Sequence, residues 1–491
     1  MLTNSSIRMK SKSSNSYRSI LRGTSFFGGV QVFQVLINLV GGKLVAMLLG
    51  SAGMGVSALF VSSSTTIQRF VSIDLNLAIV KETSSHASDE GELVNVISVA
   101  RRLVTVTALA GALLCVLFSS LLSRFTFGDE TMSSQFILLG IVVGLTVAYN
   151  GKLAILQGIQ EVKRISLASL VGGLAGLAFG VPLYYFWGIY GIVPAMGMLA
   201  LTMYIFYSIS LSRAVKLPSV RFVWNSHKHL IKTLVVLGLL LMVNDMLVSL
   251  VQYLINIFIK MHGSTDAVGL YQSANSLTNQ YSGMVFTAMS MDFFPRLSKV
   301  ISDNKEMRSV VNRQSEIVAL IIAPASGLLI FTAPFVIRLL LTVEFLPIVP
   351  LMRWMGLGIL IRALTFPMGY IAFAKGNRRI FFWMEGILCN GLTLIYSCIF
   401  YHFWGLIGLG YALVADNFTC LLIYYIVNHR LYDYSFDRNT LLYYITALVS
   451  GVAIFATSFI ASSVISYLLM GTVLLIVILW SFTSLRRLLK K

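Results

Sequence analysis

The chain has 491 residues, of which 57% are hydrophobic and only 11% charged, with a formal net charge of +18. A mean hydropathy of +0.82 excludes an ordinary soluble domain, in which about a quarter of the residues carry charge. The basic residues sit in the gaps between apolar blocks, so the positive charge reads as membrane topology and not as a nucleic-acid surface.

Residues 1–23 form a Ser-rich, basic extension placed in the cytoplasm, with no cleavable signal sequence in view. Apolar blocks of about 20 to 27 residues follow, long enough as helices to cross a hydrocarbon core about 30 Å thick. They predict membrane spans at 24–49, 54–80, 96–122, 134–158, 165–186, 189–212, 232–259, 267–292, 313–337, 348–374, 379–401, 404–428, 440–460 and 463–485. The alternating pattern of an outer-membrane barrel is absent. The expected class is therefore an all-α integral membrane protein with about 14 transmembrane helices. With the N-terminus in the cytoplasm, most of the 37 basic residues fall on that side, among them Lys163 and Arg164, Arg378 and Arg379, and Arg486 and Arg487. Both termini are then cytoplasmic. The four cysteines, Cys115, Cys389, Cys398 and Cys420, lie inside spans without metal-ligand spacing and read as small core residues.

An internal repeat organises these spans. Phe186-Trp187-Gly188-Ile189-Tyr190-Gly191 recurs as Phe403-Trp404-Gly405-Leu406-Ile407-Gly408, 217 residues later. Gly158 before Lys163-Arg164 corresponds to Gly376 before Arg378-Arg379, and Gly55-Val56 corresponds to Gly269-Leu270. The unit is six helices, so the chain divides into an N-lobe (24–212, spans one to six), a cytoplasmic connector (213–231), a C-lobe (232–428, spans seven to twelve), and a tail (429–491) with spans thirteen and fourteen. Two parallel six-helix repeats plus two C-terminal helices are a plan in which substrate binds between the halves.

The polar residues inside spans fall on helical stripes: Gln31, Gln34 and Asn38; Ser62, Thr66, Arg69 and Asn76; Asp245, Ser249, Gln252 and Asn256; and Gln272, Asn275, Asn279 and Ser282. Each uncharged residue is better explained by hydrogen bonding between packed helices. Four striped helices, the first pair of each repeat, suggest a central hydrophilic cavity. An ionised group at the bilayer centre costs at least about 2.5–3.5 kcal/mol, so intramembrane charge marks function or a structural ion pair. Arg69, Asp245, Arg353, Arg362 and Asp416 are the clearest cases, while Lys43, Lys152, Asp74, Asp292, Glu316 and Glu385 lie nearer an interface. The expected cavity residues are Arg69, Arg353, Arg362, Lys43, Asn38, Gln252, Asn256, Asn275 and Asn279. Guanidinium groups there suit an oxyanion such as a phosphate or uronate. Asp74, Asp245, Asp292 and Asp416 are candidates for charge balance, or for carrying H+ or Na+ as a coupling ion. No catalytic, metal or cofactor site is expected.

Gly41-Gly42-Lys43-Leu44-Val45-Ala46-Met47-Leu48-Leu49-Gly50-Ser51-Ala52-Gly53-Met54-Gly55-Val56, Val268-Gly269-Leu270-Tyr271 and Phe294-Pro295-Arg296-Leu297-Ser298 resemble the multidrug/oligosaccharidyl-lipid/polysaccharide exporter superfamily. Within it the chain is similar to Wzx-type polysaccharide flippases over most of residues 20–430. The resemblance implies alternating-access flipping of undecaprenyl-diphosphate-linked oligosaccharide, for O-antigen (lipopolysaccharide) or exopolysaccharide, across a bacterial inner membrane. Membrane lipids, and a polysaccharide polymerase with chain-length proteins, are the implied partners. A lipid II flippase or multidrug antiporter of the same superfamily is the first rival. A polytopic polymerase or ligase is the second, weakened because every outward gap is short and none holds a catalytic constellation.

Overall fold

The computed structural model describes residues 3–86, 89–215, 228–460 and 462–490; the side chains of 3–34 and of a few later positions, Asp292 included, lie outside that description, as does most of the predicted connector. Every regular element described is helical: α1 (Thr3–Ser72), α2 (Leu75–Ser85), α3 (Glu90–Leu117), α4 (Ser119–Phe127), α5 (Ser133–Gly158), α6 (Val162–Trp187), α7 (Ile192–Ala214), α8 (Lys228–His262), α9 (Thr265–Val300), α10 (Asn304–Leu340), α11 (Val349–Ala374), α12 (Arg378–Phe381), α13 (Asn390–Tyr432), α14 (Arg438–Thr457) and α15 (Ser463–Lys490). The spans predicted from the sequence overlap these helices without matching them one to one.

Ten stretches are long and apolar enough to cross a membrane. Three of them, 38, 53 and 55 residues long, each take in two of the spans that the sequence separates. The joins fall at glycines with positive φ: Gly50 (φ 64°) in α1, Gly188 (φ 54°) between α6 and α7, and Gly405 (φ 59°) in α13. A side chain resists that backbone conformation, so glycine can turn the chain while helix runs on both sides. A few helix starts are set by side-chain caps. Asp89 accepts from Gly91 N and Glu92 N, Ser264 from Ala267 N, and Asp303 from Lys305 N.

Large apolar side chains point outward in helical rows, such as Val106, Leu109, Leu113 and Leu117 on α3, or Leu468, Leu475 and Leu479 on α15. Such rows are unfavourable in water and suit hydrocarbon. Tyr185, Phe186 and Trp187 are exposed at one repeat motif and Phe403 and Trp404 at the other, as expected of aromatic residues at a membrane interface.

The chain forms two compact units, one of Met1–Leu49 with Phe60–Met246, the other of Gly50–Leu59 with Leu247–Lys491. In the first, α6 packs on α7 through small residues. A Cβ on Gly176 would meet Leu199, and Thr202 donates to the Gly172 carbonyl at 2.9 Å. In the second, Phe293, Leu297, Met307, Val311, Met368 and Tyr434 form one buried cluster where α9, α10, α11 and the α13–α14 connection meet. Asn312 donates to the Ser435 carbonyl at 3.0 Å and Arg308 pairs with Asp437 at 2.9 Å, tying that connection down. Burial there holds the Tyr434 phenol well above its usual pKa, so it stays neutral.

The repeat is visible in atomic detail within each unit. A Cβ on Gly191 would lie 2.1 Å from the Leu183 carbonyl oxygen, and one on Gly408 would lie 2.0 Å from that of Phe400. Both partners are eight residues upstream, so the two turns share one geometry that only glycine permits. Tyr207 bonds Ser169 at 2.6 Å, and Tyr424, 217 residues later, donates to Glu385.

Candidate functional site

Two charged clusters stand out, one in each unit, and each sits at an interruption of helical geometry. In the first unit, α1 ends at Ser72, and Ile73 and Asp74 both adopt left-handed backbone (φ 50° and 42°) before α2 resumes. A β-branched residue in that region is strained. Gly238 on α8 accommodates the turn, since a Cβ there would lie 2.2 Å from the Ile73 carbonyl oxygen. Two helical turns further along α8, Asp245 reaches Arg69, with Nη1 to Oδ2 at 3.1 Å; Asp74 lies 4.0 Å from the same nitrogen. The guanidinium therefore faces two carboxylates while its side chain stays 41% exposed.

In the second unit, residues Phe382–Cys389 form a π-helix between α12 and α13. One extra residue per turn of this kind re-aims side chains and is common at functional positions. Here it turns Glu385 into the protein, where Tyr424 donates to its carboxylate. Asp416, buried on α13, accepts from Thr393 at 2.7 Å and lies 3.7 Å from the Cys420 thiol. Arg362 on α11 is exposed, with its guanidinium 5.6 Å from the Phe286 ring centroid, and its charge acts on both Glu385 and Asp416. The sequence places Glu385 near an interface; through the π-helix it meets Arg362 and Asp416.

Arg353 donates to the Ser458 carbonyl at 3.3 Å, capping the C-terminal end of α14, where a cation meets the negative pole of the helix. Asn279 donates to Asn275 at 3.0 Å along α9. Asn256 is fully buried, and neither of its amide atoms finds a partner among the described residues. Asn38 is exposed and Lys43 half-buried. Among the described residues no group of three His, Cys, Asp or Glu could hold a metal ion.

One cluster carries no signal in the sequence. At Gly50 the broken α1 leaves the Ser51 backbone N–H unpaired within the helix, and Glu344 accepts it at 3.2 Å. The Ser51 hydroxyl also lies 2.5 Å from Glu344 and 2.6 Å from Asp266. A second turn on, the approach is reciprocal. A Cβ on Gly55 would lie 1.9 Å from the Thr265 carbonyl oxygen, and one on Gly269 would lie 2.0 Å from that of Ser51. The 214-residue offset relates both members of each pair, so corresponding points of the two repeats cross here.

Comparison with known proteins gives this arrangement its family. A model described as "Polysaccharide biosynthesis protein" matches residues 44–350, well over half of the chain. The chain belongs to this family. Lipid III flippase of Escherichia coli (strain K12) is 22% identical over 368 residues, covering 75% of this chain and 88% of the relative; the Shigella flexneri protein of the same name gives the same figures. Among solved structures, the lipid II flippase MurJ in an inward closed conformation aligns over 95% of this chain and 99% of its own, with a TM-score of 0.72 at 16% identity. An inward-facing multidrug resistance MATE transporter of the MOP superfamily aligns over 82% and 94%, with a TM-score of 0.67 at 15% identity. The polysaccharide biosynthesis protein thus has the fold of that superfamily. It is a multi-pass membrane protein.

Proposed function

We propose that this polysaccharide biosynthesis protein flips undecaprenyl-diphosphate-linked oligosaccharide repeat units from the cytoplasmic to the outer leaflet of a bacterial inner membrane by alternating access, supplying O-antigen or exopolysaccharide assembly. The observation that carries the reading is Arg362, an exposed guanidinium on the largely apolar α11, backed by Glu385 and Asp416. An arginine at such a position is costly against lipid and pays only where water or an anion meets it. A diphosphate offers the oxyanions that guanidinium binds bidentately, while the polyprenyl tail stays in hydrocarbon. On this reading both termini are cytoplasmic. The lobes at 24–212 and 232–428 rock about a cavity that includes Arg69, Lys43, Asn38, Gln252, Asn256, Asn275 and Asn279. Protonation or Na+ binding at Asp245, Asp74, Asp292 or Asp416 resets it, and a polysaccharide polymerase with its chain-length proteins takes the product.

Deletion of the gene, complemented by wild type or by Arg362→Ala, tests this. Surface polysaccharide should vanish on deletion, return with wild type, and fall at least about tenfold with Arg362→Ala at equal protein level. Full export with the variant would remove the arginine from the mechanism. The likeness to lipid II flippase favours a second reading, flipping of a cell-wall precursor. Under it the deletion would be lethal or rounded in shape, with surface polysaccharide intact.

A further inference from the structure

A recess in the first unit plays no part in that scheme. It lies between α3, α5 and α7, has a volume of about 580 Å³, and is lined by Arg101, Lys152, Tyr204 and Ser212 together with the apolar Ile209 and Leu211. The Lys152 ammonium stands 3.8 Å from the centroid of the Tyr204 ring, which holds it in place through the ring face. Arg101 acts electrostatically on Lys152, and among the described residues neither cation is paired with a carboxylate. Two like charges facing one recess repel each other, and an anion placed between them relieves both.

The depth and the surroundings of the recess narrow the choice of anion. Lys152 is six residues from the end of α5, Ser212 two from the end of α7, and Arg101 lies in the first half of α3, so all three mark the same end of the helices. The positive-inside pattern assigns that end to the cytoplasmic leaflet. From the recess, Leu201, Ile205 and Ile209 run along α7 one turn apart, exposed by 37%, 42% and 40%. A basic pocket at headgroup depth, opening onto an apolar strip that leads towards mid-bilayer, fits an amphiphile better than a free ion.

We propose that this recess binds the phosphate headgroup of a membrane lipid, with the phosphate between Arg101 and Lys152 and the chain along Leu201, Ile205 and Ile209. The same chemistry is offered by an anionic phospholipid and by a polyprenyl phosphate, and the site stands whichever cargo the transporter moves.

The test uses the full chain in detergent and native mass spectrometry, titrating phosphatidylglycerol, undecaprenyl phosphate and inorganic phosphate separately. Wild type should retain at least one of the two lipids and not inorganic phosphate; the lipid retained more tightly names the source. Arg101→Gln with Lys152→Gln should weaken retention by about tenfold or more, while Arg101→Lys keeps it within about threefold. Ser212→Trp fills the mouth of the recess and leaves both charges in place. It should weaken retention as strongly, and it stands in if the double variant fails to fold. Undiminished lipid retention in the folded double variant, or in Ser212→Trp, would overturn the site. Inorganic phosphate binding as tightly as either lipid would overturn its assignment to lipid.

Discussion

Arg69 bridges Asp245, 176 residues away, and Asp74, five away, at the point where α1 gives way to α2. With side chains 41% and 48% exposed, the Arg69–Asp245 pair contributes only about 0–1 kcal/mol to stability. Replacing either partner should therefore leave the fold standing while it changes what the charges do. Arg69→Ala is expected to lower polysaccharide export at least about tenfold, with a loss of stability below about 1 kcal/mol in a thermal unfolding assay. Unfolding in step with lost export would make the pair structural instead. Arg353 carries the opposite expectation. Its bond to the Ser458 carbonyl joins α11 to the end of α14, so Arg353→Ala should lower stability and export together. The sequence marks Arg69, Asp74 and Asp245 as costly charges, because hydropathy makes any charge in a span conspicuous. That they meet is not legible, since it depends on Ile73 adopting a left-handed conformation that its residue type disfavours.

Among the helices, the breaks matter more than the continuous stretches. Gly188 and Gly405 turn the chain at equivalent places in the two repeats, and Gly191 and Gly408 close against carbonyls eight residues upstream. This part was readable, because a glycine recurring at a fixed offset encodes a backbone conformation, not a packing preference. The crossing of Gly55 and Gly269 is equally intolerant of a side chain. Gly55→Ala or Gly269→Ala should destabilise by about 1–3 kcal/mol through forced separation of the helices. Gly391→Ala on α13, where a Cβ meets nothing within 4 Å among the described residues, should be neutral or slightly stabilising. Thermal unfolding in detergent distinguishes them, and equal midpoints for all three would contradict the crossing. The π-helix at 382–389 and the Glu344 bond across the Gly50 break were not legible. A single wider turn leaves no periodic trace, and a carboxylate between helices has no reason in its own segment to find Ser51.

For the whole molecule, the recurring glycine turns, the basic loops and the exposed apolar rows describe a multi-pass membrane protein of the polysaccharide biosynthesis family with the fold of lipid II flippase MurJ. The class of protein was legible because the bilayer imposes strong, simple rules on length, hydropathy and charge. Substrate specificity was not, because scattered arginines, amides and hydroxyls form no contiguous motif. A reporter fused at the C-terminus should be active only if its activity requires the cytoplasm; activity of a periplasm-dependent reporter would contradict the orientation. The most direct measurement is leaflet movement of an undecaprenyl-diphosphate-linked oligosaccharide in vesicles containing the purified protein. Protein-dependent movement is expected, reduced at least about tenfold by Arg362→Ala. Movement no faster than in protein-free vesicles, with folded wild-type protein present, would contradict it.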